Sequence, residues 1–101
     1  MIDITAVKNF KDLSISVRLL LTLVSISNDA GEIRTNKEDL AKAVGSSRQT
    51  VGSHLCEFAR CNLIKYKYSG TARLNPDFYF TGRPEKKASA QMEYSLFKSD
   101  I

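Results

Sequence analysis

The 101-residue sequence contains no tryptophan, two prolines, two cysteines and one histidine. Two prolines are too few for a proline-rich recognition segment. The cysteines, Cys56 and Cys61, are too few for a disulfide framework, and His54 does not complete a metal-binding spacing with them. This usage is typical of an intracellular protein whose reduced thiols pack as small hydrophobic side chains.

Long apolar runs are absent as well. The longest run, residues 19–24, is interrupted by Thr22 and is far shorter than the roughly 20 residues of a membrane span. The first residues include Asp3 and no basic region before an apolar run, so we expect no secretory signal. These absences predict a cytoplasmic protein that makes no membrane contact.

Patterns that support catalysis are missing. The sequence has no glycine-rich phosphate loop. Neither His54 nor the two cysteines have an acidic or nucleophilic partner at a suggestive spacing. We therefore expect no enzyme activity and no catalytic residues, and the sequence implies no cofactor, metal or small-molecule ligand.

The composition is that of a globular protein, with 43% hydrophobic and 26% charged residues. A chain of this length has no room for a second independent core. We predict one domain over residues 1–82. Residues 83–101 are predicted to be a polar tail or a short amphipathic helix.

The basic residues are concentrated in one stretch. The chain has 15 Lys and Arg against 11 Asp and Glu, a formal charge of +4. Residues 1–44 and 76–101 are each neutral, whereas residues 45–75 carry five basic side chains against Glu57. The five are Arg48, Arg60, Lys65, Lys67 and Arg73. Such a local excess suggests a surface that faces a polyanion, the alternative being an ordinary solvated face.

The first third of the chain predicts an arm and a helix. We interpret residues 1–13 as an arm whose apolar side chains dock on the domain. Residues 14–27 have helical periodicity, with Ser14 or Ser16 as the N-cap. The residues expected on one buried face are Ile15, Leu19, Leu23 and Ile26. The other faces are also apolar, which indicates a central helix or a helix that meets a partner subunit.

The end of the chain has a weaker helical pattern. Ala88, Met92 and Leu96 recur at helical spacing within a polar stretch. We interpret this stretch as a helix that supports dimerisation, the alternative being a disordered end. The candidate dimer contacts are Leu20, Leu21, Met92 and Leu96.

Two short helices follow one another with a glycine-centred turn between them. After a possible short strand at residues 32–35, Asn36 is a good N-cap for a helix over residues 37–44. Gly45 is placed to end that helix in the left-handed conformation, and Ser46 or Ser47 can cap the next one. The side chains expected to face inward are Leu40, Ala43 and Val44, and then Val51, Leu55 and Phe58.

A β-hairpin is predicted after the second short helix, which Asn62 closes. Residues 63–68 alternate in character and Ser69-Gly70 is a turn signal. Residues 73–80 supply the second strand, which Pro76 must distort or begin. We expect four aromatic side chains to face the core rather than to form a stacking platform for single strands. They are Tyr66, Tyr68, Phe78 and Phe80.

This element order predicts a mainly helical α+β fold, the winged helix-turn-helix, with three helices, a C-terminal hairpin wing and a possible extra C-terminal helix. With its apolar stripe inward, the second helix of the pair turns Arg48, Gln49, Gly52 and Ser53 outward, and a projecting helix fits the major groove of DNA. Arginine can bond guanine and glutamine can bond adenine there, and Gly52 lets the backbone approach the duplex.

Short hydroxyl side chains, helix N-termini and the basic wing are candidates for phosphate contact. The candidate phosphate contacts are Asn36, Ser46, Ser47, Thr50, Lys65, Lys67, Thr71 and Arg73. For the wing lysines, the alternative is that they protect a sheet edge.

Residues 39–66, DLAKAVGSSRQTVGSHLCEFARCNLIKY, resemble the DNA-binding domain of the CRP/FNR transcription factors. The matching residues are Leu40, Ala41, Gly45, Ser47, Arg48, Thr50, Val51, Leu55, Leu63 and Ile64. The resemblance implies base-reading positions at Arg48, Gln49 and Ser53 and a phosphate contact at Thr50. Ser53 stands where that family commonly has a longer basic residue.

Residues 74–82, LNPDFYFTG, resemble the same region of RepL-type plasmid replication and copy-control proteins. Phe10 and the helix predicted near residues 15–26 are also placed as in that group. The resemblance implies a plasmid or phage protein that acts at its own DNA site, where it initiates replication, controls copy number or represses transcription.

The sequence therefore predicts a sequence-specific binder of double-stranded DNA that regulates transcription or replication, as a homodimer on a near-palindromic site. The alternative is a protein-interaction module that uses the same fold without reading DNA sequence. Its contact surface would be the helix over residues 14–27 together with the tail.

Overall fold

Residues 13–101, which the computed structural model describes, form four α-helices, a short 3₁₀ helix and one three-stranded antiparallel sheet. The elements are α1 Ile15–Ile26, β1 Glu32–Arg34, α2 Lys37–Val44, α3 Arg48–Arg60, β2 Ile64–Lys67, β3 Thr71–Leu74, the 3₁₀ helix Pro84–Lys86 and α4 Lys87–Leu96. This order confirms the mainly helical winged helix-turn-helix fold, with the extra C-terminal helix present. The predicted arm lies outside the described residues, apart from Leu13.

The helix α1 is central to the core. Ser14 is its N-cap, because the Ser14 Oγ accepts a hydrogen bond from the Val17 amide at 3.2 Å. Leu19 and Leu23 are fully buried. Ile26, which the periodicity predicts on the same buried face, is exposed, because it is the last helical residue and lies beyond the elements that cover that face.

The caps of the helix pair are as predicted. The Asn36 Oδ1 accepts from the Asp39 amide at 2.8 Å at the start of α2. Gly45 has φ 70° and ψ 42°, the left-handed conformation that ends a helix. Ser47, rather than Ser46, caps α3 by accepting from the Thr50 amide at 3.1 Å. The glycine conformation and the immediate cap explain how α3 can follow α2 after a short turn.

The inward face of α2 differs from the prediction at one position. Leu40 and Val44 are buried as expected, but Ala41 is buried and Ala43 is exposed. The buried arc spans Leu40, Val44 and Ala41 at 100° per residue, and Ala43 falls about 60° outside it. Arg18 from α1 fixes this end of α2 by donating from Nη1 to the Val44 carbonyl at 2.7 Å.

The sheet has the order β1-β3-β2, so the first short strand pairs with the wing. Ile33 lies opposite Ala72, and Tyr66 lies opposite Ala72 on the other side. The predicted second wing strand over residues 73–80 is wrong, since β3 ends at Leu74. The Asn75 Oδ1 accepts from the Asp77 amide at 2.9 Å, and this turn removes Pro76 and the residues after it from the ladder.

The shorter wing strands change the expected burial of the aromatic side chains. Tyr66 is buried as predicted, whereas Tyr68 and Phe78 are exposed and Phe80 is half-buried. Tyr68 lies one residue beyond the end of β2, in the turn of the wing. Phe78 and Phe80 follow the Asn75 turn, outside the sheet. The prediction that all four face the core is therefore wrong for the three that are not in a strand.

The helix α4 packs on the wing through the face opposite the apolar stripe of residues 88, 92 and 96. Ala90 and Tyr94 are buried, whereas Met92 is 65% and Leu96 73% exposed. The Tyr94 hydroxyl donates to the Asn62 Oδ1 at 2.8 Å, and this bond orients the helix. Residues 90 and 94 lie two positions from the 88–92–96 stripe, which at 100° per residue is the opposite side of the helix.

The chain after α4 runs along the free edge of β2. The Asp100 amide donates to the Tyr66 carbonyl at 2.7 Å, and the Asp100 Oδ2 accepts from the Tyr68 amide at 2.9 Å. The Ser99 hydroxyl accepts from the Tyr66 amide at 3.0 Å. This segment satisfies backbone groups that an edge strand would otherwise expose. Within residues 13–101, no helix is both long and apolar enough to cross a membrane.

Candidate nucleic-acid interface

The helix α3 has one buried face and one polar face. Val51 and Leu55 are fully buried and Phe58 is nearly so, which confirms the predicted inner face. Arg48, Gln49 and Ser53 are exposed. The structure thus brings the three predicted base-reading side chains together on the first two turns of α3, on the side away from the core.

A groove runs between this face of α3 and the turn of the wing. It encloses about 570 Å³ and is lined by Arg48, Gln49, Gly52, Ser53 and Cys56 from α3 and by Lys37, Tyr68 and Ile101. A second groove of about 450 Å³ lies beside it and is lined by Asn36, Lys37, Glu38, Arg48, Tyr66 and Tyr68. Lys37, Arg48 and Tyr68 line both grooves, so they form the ridge between them.

The positive charge of Arg48 at this ridge has only a weak intramolecular partner. The Arg48 Nη1 lies 3.7 Å from the Glu38 Oε1, and both side chains are exposed, so this ion pair contributes little in water. Burial raises the pKa of Tyr66 above 10.0, the Arg48 charge lowers it and Tyr68 raises it further. Tyr66 is therefore a neutral phenol near pH 7, and Arg48 keeps its positive charge available for an anion.

The predicted hydroxyl and amide contacts have intramolecular roles at the helix N-termini. Asn36 and Ser47 are N-caps, and the Ser47 hydroxyl also bonds to the Thr50 hydroxyl at 2.9 Å. Ser46 and Thr50 are half-buried. At the wing turn, the Thr71 Oγ1 lies 3.5 Å from the Ser69 Oγ. A phosphate at these positions would meet a capped N-terminus, whose remaining amides still favour an anion.

The structure does not bring Lys65, Lys67 and Arg73 to the groove. Because Ile64 and Tyr66 face the core, Lys65 and Lys67 point to the other face of the sheet, and α4 and the segment after it cover that face. The Lys65 Nζ donates to the Tyr94 carbonyl at 2.8 Å, and the Lys67 Nζ lies 4.6 Å from the centre of the Phe97 ring.

Arg73 is held between two carboxylates. Its side chain is 15% exposed, with Nη1 3.0 Å from the Glu93 Oε2 and Nη2 3.7 Å from the Glu32 Oε1. A cation held between two carboxylates is a poor phosphate contact, because binding would have to break these pairs. The three wing cations therefore attach α4 to the sheet in this structure.

Sequence reasoning missed Lys37 and Tyr68 as residues of the site. The sequence indicates Lys37 only as the first residue of a helix. Whether its side chain lies near α3 depends on the angle between α2 and α3, which the sequence pattern does not give. Tyr68 is predicted in the core because it continues the alternation of Ile64 and Tyr66. The signal that could have found it is the turn at Ser69-Gly70, which ends the strand before Tyr68.

The remaining candidate side chains have different environments. Leu20 and Leu21 are half-buried, and Leu20 packs partly against the core. Cys56 and Cys61 are both exposed, so the prediction that they pack as small hydrophobic side chains is wrong. Cys56 lies off the stripe that α3 buries, and Cys61 follows the helix as its C-cap. His54 is half-buried, with Nδ1 3.7 Å from the Glu57 Oε2. Within the described part of the chain, His, Cys, Asp and Glu form no group of three that could hold a metal.

The chain is similar to known proteins of plasmid replication. Residues 12–100 match the model of the family described as Firmicute plasmid replication protein (RepL). A replication and maintenance protein of Bacillus subtilis is 34% identical over 84 residues, which are 83% of this chain and 56% of that protein. The chain thus spans little more than half the length of this relative.

A solved structure of a CRP/FNR-family transcriptional regulator from Thermus thermophilus superposes with a TM-score of 0.48 at 20% identity. The superposition covers 90% of this chain and 44% of that one.

Proposed function

Because the chain belongs to the family of Firmicute plasmid replication proteins (RepL), we propose that it binds a specific double-stranded DNA site. By doing so it regulates replication or transcription on a plasmid or phage.

One observation carries the proposal. Arg48, Gln49 and Ser53 are exposed on α3, while the opposite stripe of that helix is buried. A helix anchored in this way presents a rigid polar face of the width that the major groove accepts. Arginine can bond O6 and N7 of guanine and glutamine can bond N6 and N7 of adenine, so this face has the chemistry to distinguish base pairs.

The small size of the DNA-reading surface, a single α3 helix, favours a homodimer on a near-palindromic site. One α3 helix faces only a few base pairs, and a two-fold dimer doubles the sequence that is read. Met92 and Leu96 are exposed apolar side chains on α4 that suit a contact between copies. Leu20 and Leu21 are the half-buried candidates for the same role.

Selection from a random duplex library, followed by a salt titration on the selected duplex, tests the proposal. We expect a two-fold motif and an affinity that falls steeply as salt rises, since phosphate contacts release counterions. The spacing of the half-sites then gives the geometry of the dimer. Failure to enrich any motif, with only weak and salt-sensitive binding, would overturn the sequence-specific proposal.

The exposed Met92 and Leu96 also favour a second candidate, a protein-interaction module. In that case Arg48→Ala would leave the partner complex intact, whereas a polar substitution of Leu21 or Met92 would weaken it. A specific DNA reader instead loses duplex affinity with Arg48→Ala.

Gly52 provides a prediction on the polar face of α3. A glycine within a helix costs about 0.5–1 kcal/mol relative to alanine. A Cβ at this position would lie 3.4 Å from the Lys37 Nζ, the end of a flexible side chain, so the fold has room for it. We expect Gly52→Ala to raise the melting temperature by a few degrees and to lower the affinity for the selected duplex, because the methyl group adds bulk between α3, the Lys37 side chain that lies over it and the bases.

Thermal melts and binding titrations of the same preparation measure the two effects. Ala59→Gly, on the same helix and outside both grooves, is the reciprocal control. It is expected to lower the melting temperature and leave duplex affinity unchanged in the folded protein. Equal or tighter duplex binding by Gly52→Ala would contradict the close approach of α3 to the bases.

A further inference from the structure

Lys37 and Tyr68 come from different elements and meet beside the polar face of α3. Lys37 is the first residue of α2, and Tyr68 belongs to the wing turn. The Lys37 Nζ lies 5.2 Å from the centre of the Tyr68 ring, within the range of a cation–π contact. Both side chains line the two grooves that also contain Arg48.

Lys37 is seated over Gly52. The Nζ, Cε and Cδ of Lys37 lie 3.4, 3.7 and 3.9 Å from the place where a Gly52 Cβ would stand. The side chain therefore crosses α3 at its glycine and carries its charge into the groove. Within residues 13–101, the ion pairs involve Arg48, His54 and Arg73 but not Lys37. In contrast to Arg73, Lys37 holds a cation that no carboxylate neutralises in this part of the chain.

Tyr68 is fixed in position but open to a ligand. The residue is 64% exposed, although the ring packs edge-on against the buried Tyr66 at 6.2 Å between centroids. The Tyr68 amide donates to the Asp100 Oδ2 at 2.9 Å, which holds the backbone at the edge of the wing. A large aromatic side chain with this support and this exposure has apolar area and a hydroxyl available beside the cations Lys37 and Arg48.

We propose that Lys37 and Tyr68 form a DNA backbone clamp next to the base pairs that Arg48 faces. The Lys37 ammonium binds a phosphate, the Tyr68 ring packs on the adjoining deoxyribose and the Tyr68 hydroxyl donates to a phosphate. This inference rests on the proposed function. In it, the wing contacts DNA through Tyr68 in its turn and not through the strand residues Lys65, Lys67 and Arg73. The contacts position the duplex and do not distinguish its bases.

The test uses Lys37→Gln, Tyr68→Phe and Tyr68→Ala, titrated against the selected duplex and a scrambled duplex at several salt concentrations. Lys37→Gln should weaken binding to both duplexes alike and reduce the salt slope by about 1. Tyr68→Ala should weaken both by at least about fivefold, with Tyr68→Phe between it and the unchanged protein. Lys87→Gln and Phe78→Ala are the matched controls, because these exposed residues line neither groove.

The outcomes separate the clamp from the proposed function. If Arg48→Ala loses affinity while Lys37→Gln and Tyr68→Ala bind like the unchanged protein, the clamp is overturned and the DNA reader stands. A protein that selects no duplex overturns both. If the variants lower the melting temperature but retain affinity and salt slope once folded, the pair is structural only and the clamp is overturned. Lys37→Gln and Tyr68→Phe keep the test decisive if Tyr68→Ala does not fold.

Discussion

Arg48→Ala is expected to lower affinity for the selected duplex by about 1–3 kcal/mol and to relax base preference at one position of each half-site. In binding constants this is a loss of roughly 5-fold to 150-fold. Arg48 is exposed in the first turn of α3, and its ion pair with Glu38 at 3.7 Å is also exposed, so little energy opposes its transfer to a guanine. Competition titrations against duplexes that differ by one base pair measure both effects.

Arg60→Ala is the matched control for this substitution. Arg60 lies in the last turn of the same helix, is exposed and lines neither groove. The Arg60→Ala substitution should leave base preference unchanged, and any loss of affinity should be equal for all duplexes. If Arg48→Ala instead weakened all duplexes alike without relaxing base preference, Arg48 would be a phosphate contact and the reading of sequence would have to lie elsewhere on α3.

Leu55→Ala is expected to lower the free energy of unfolding by about 2–5 kcal/mol, because it removes a buried side chain and leaves a cavity. Leu55 is 0% exposed and lies in the core of the domain. Small domains have only about 5–15 kcal/mol in total, so this change removes a large share of the stability. Urea titration and thermal melting followed by circular dichroism measure it.

Ser53→Ala is the control on the opposite side of α3, two residues away. Ser53 is exposed, and its hydroxyl bonds only to the Gln49 carbonyl of its own helix, at 3.3 Å, within the described part of the chain. The free energy of unfolding of the Ser53→Ala protein should differ from that of the unchanged protein by no more than about 0.5 kcal/mol. If the Leu55→Ala protein had the same melting temperature as the unchanged protein, the assignment of the two faces of α3 would be contradicted.

The helix pair was predictable because its signals are local. The Asn36 cap, the left-handed Gly45 and the Ser47 cap each depend on residues within a few positions. The inner stripe of α3 follows from helical periodicity in the same way. These short-range rules predicted which face of α3 carries Arg48, Gln49 and Ser53.

Alternation alone mispredicted the second wing strand, which a local turn ends, whereas the packing face of α4 is decided by distant parts of the chain. Residues 73–80 alternate like a strand, but the Asn75 turn and Pro76 end β3 at Leu74. The stripe of Met92 and Leu96, predicted to support a contact between copies, is exposed, and the opposite face of α4 docks through Tyr94. Periodicity indicates that a face exists and does not indicate which surface is available to cover it.

By itself, the sequence determined the class of fold, the positions of α1 to α3 and the polar face of α3. The tertiary structure decided the intramolecular partner of each cation. Lys65, Lys67 and Arg73 are attached to α4 and the residues that follow it, whereas Lys37 and Tyr68 meet beside Arg48. The physical reason is that caps and periodicity act over a few residues, while the partner of a long charged side chain depends on how elements far apart in the chain pack together.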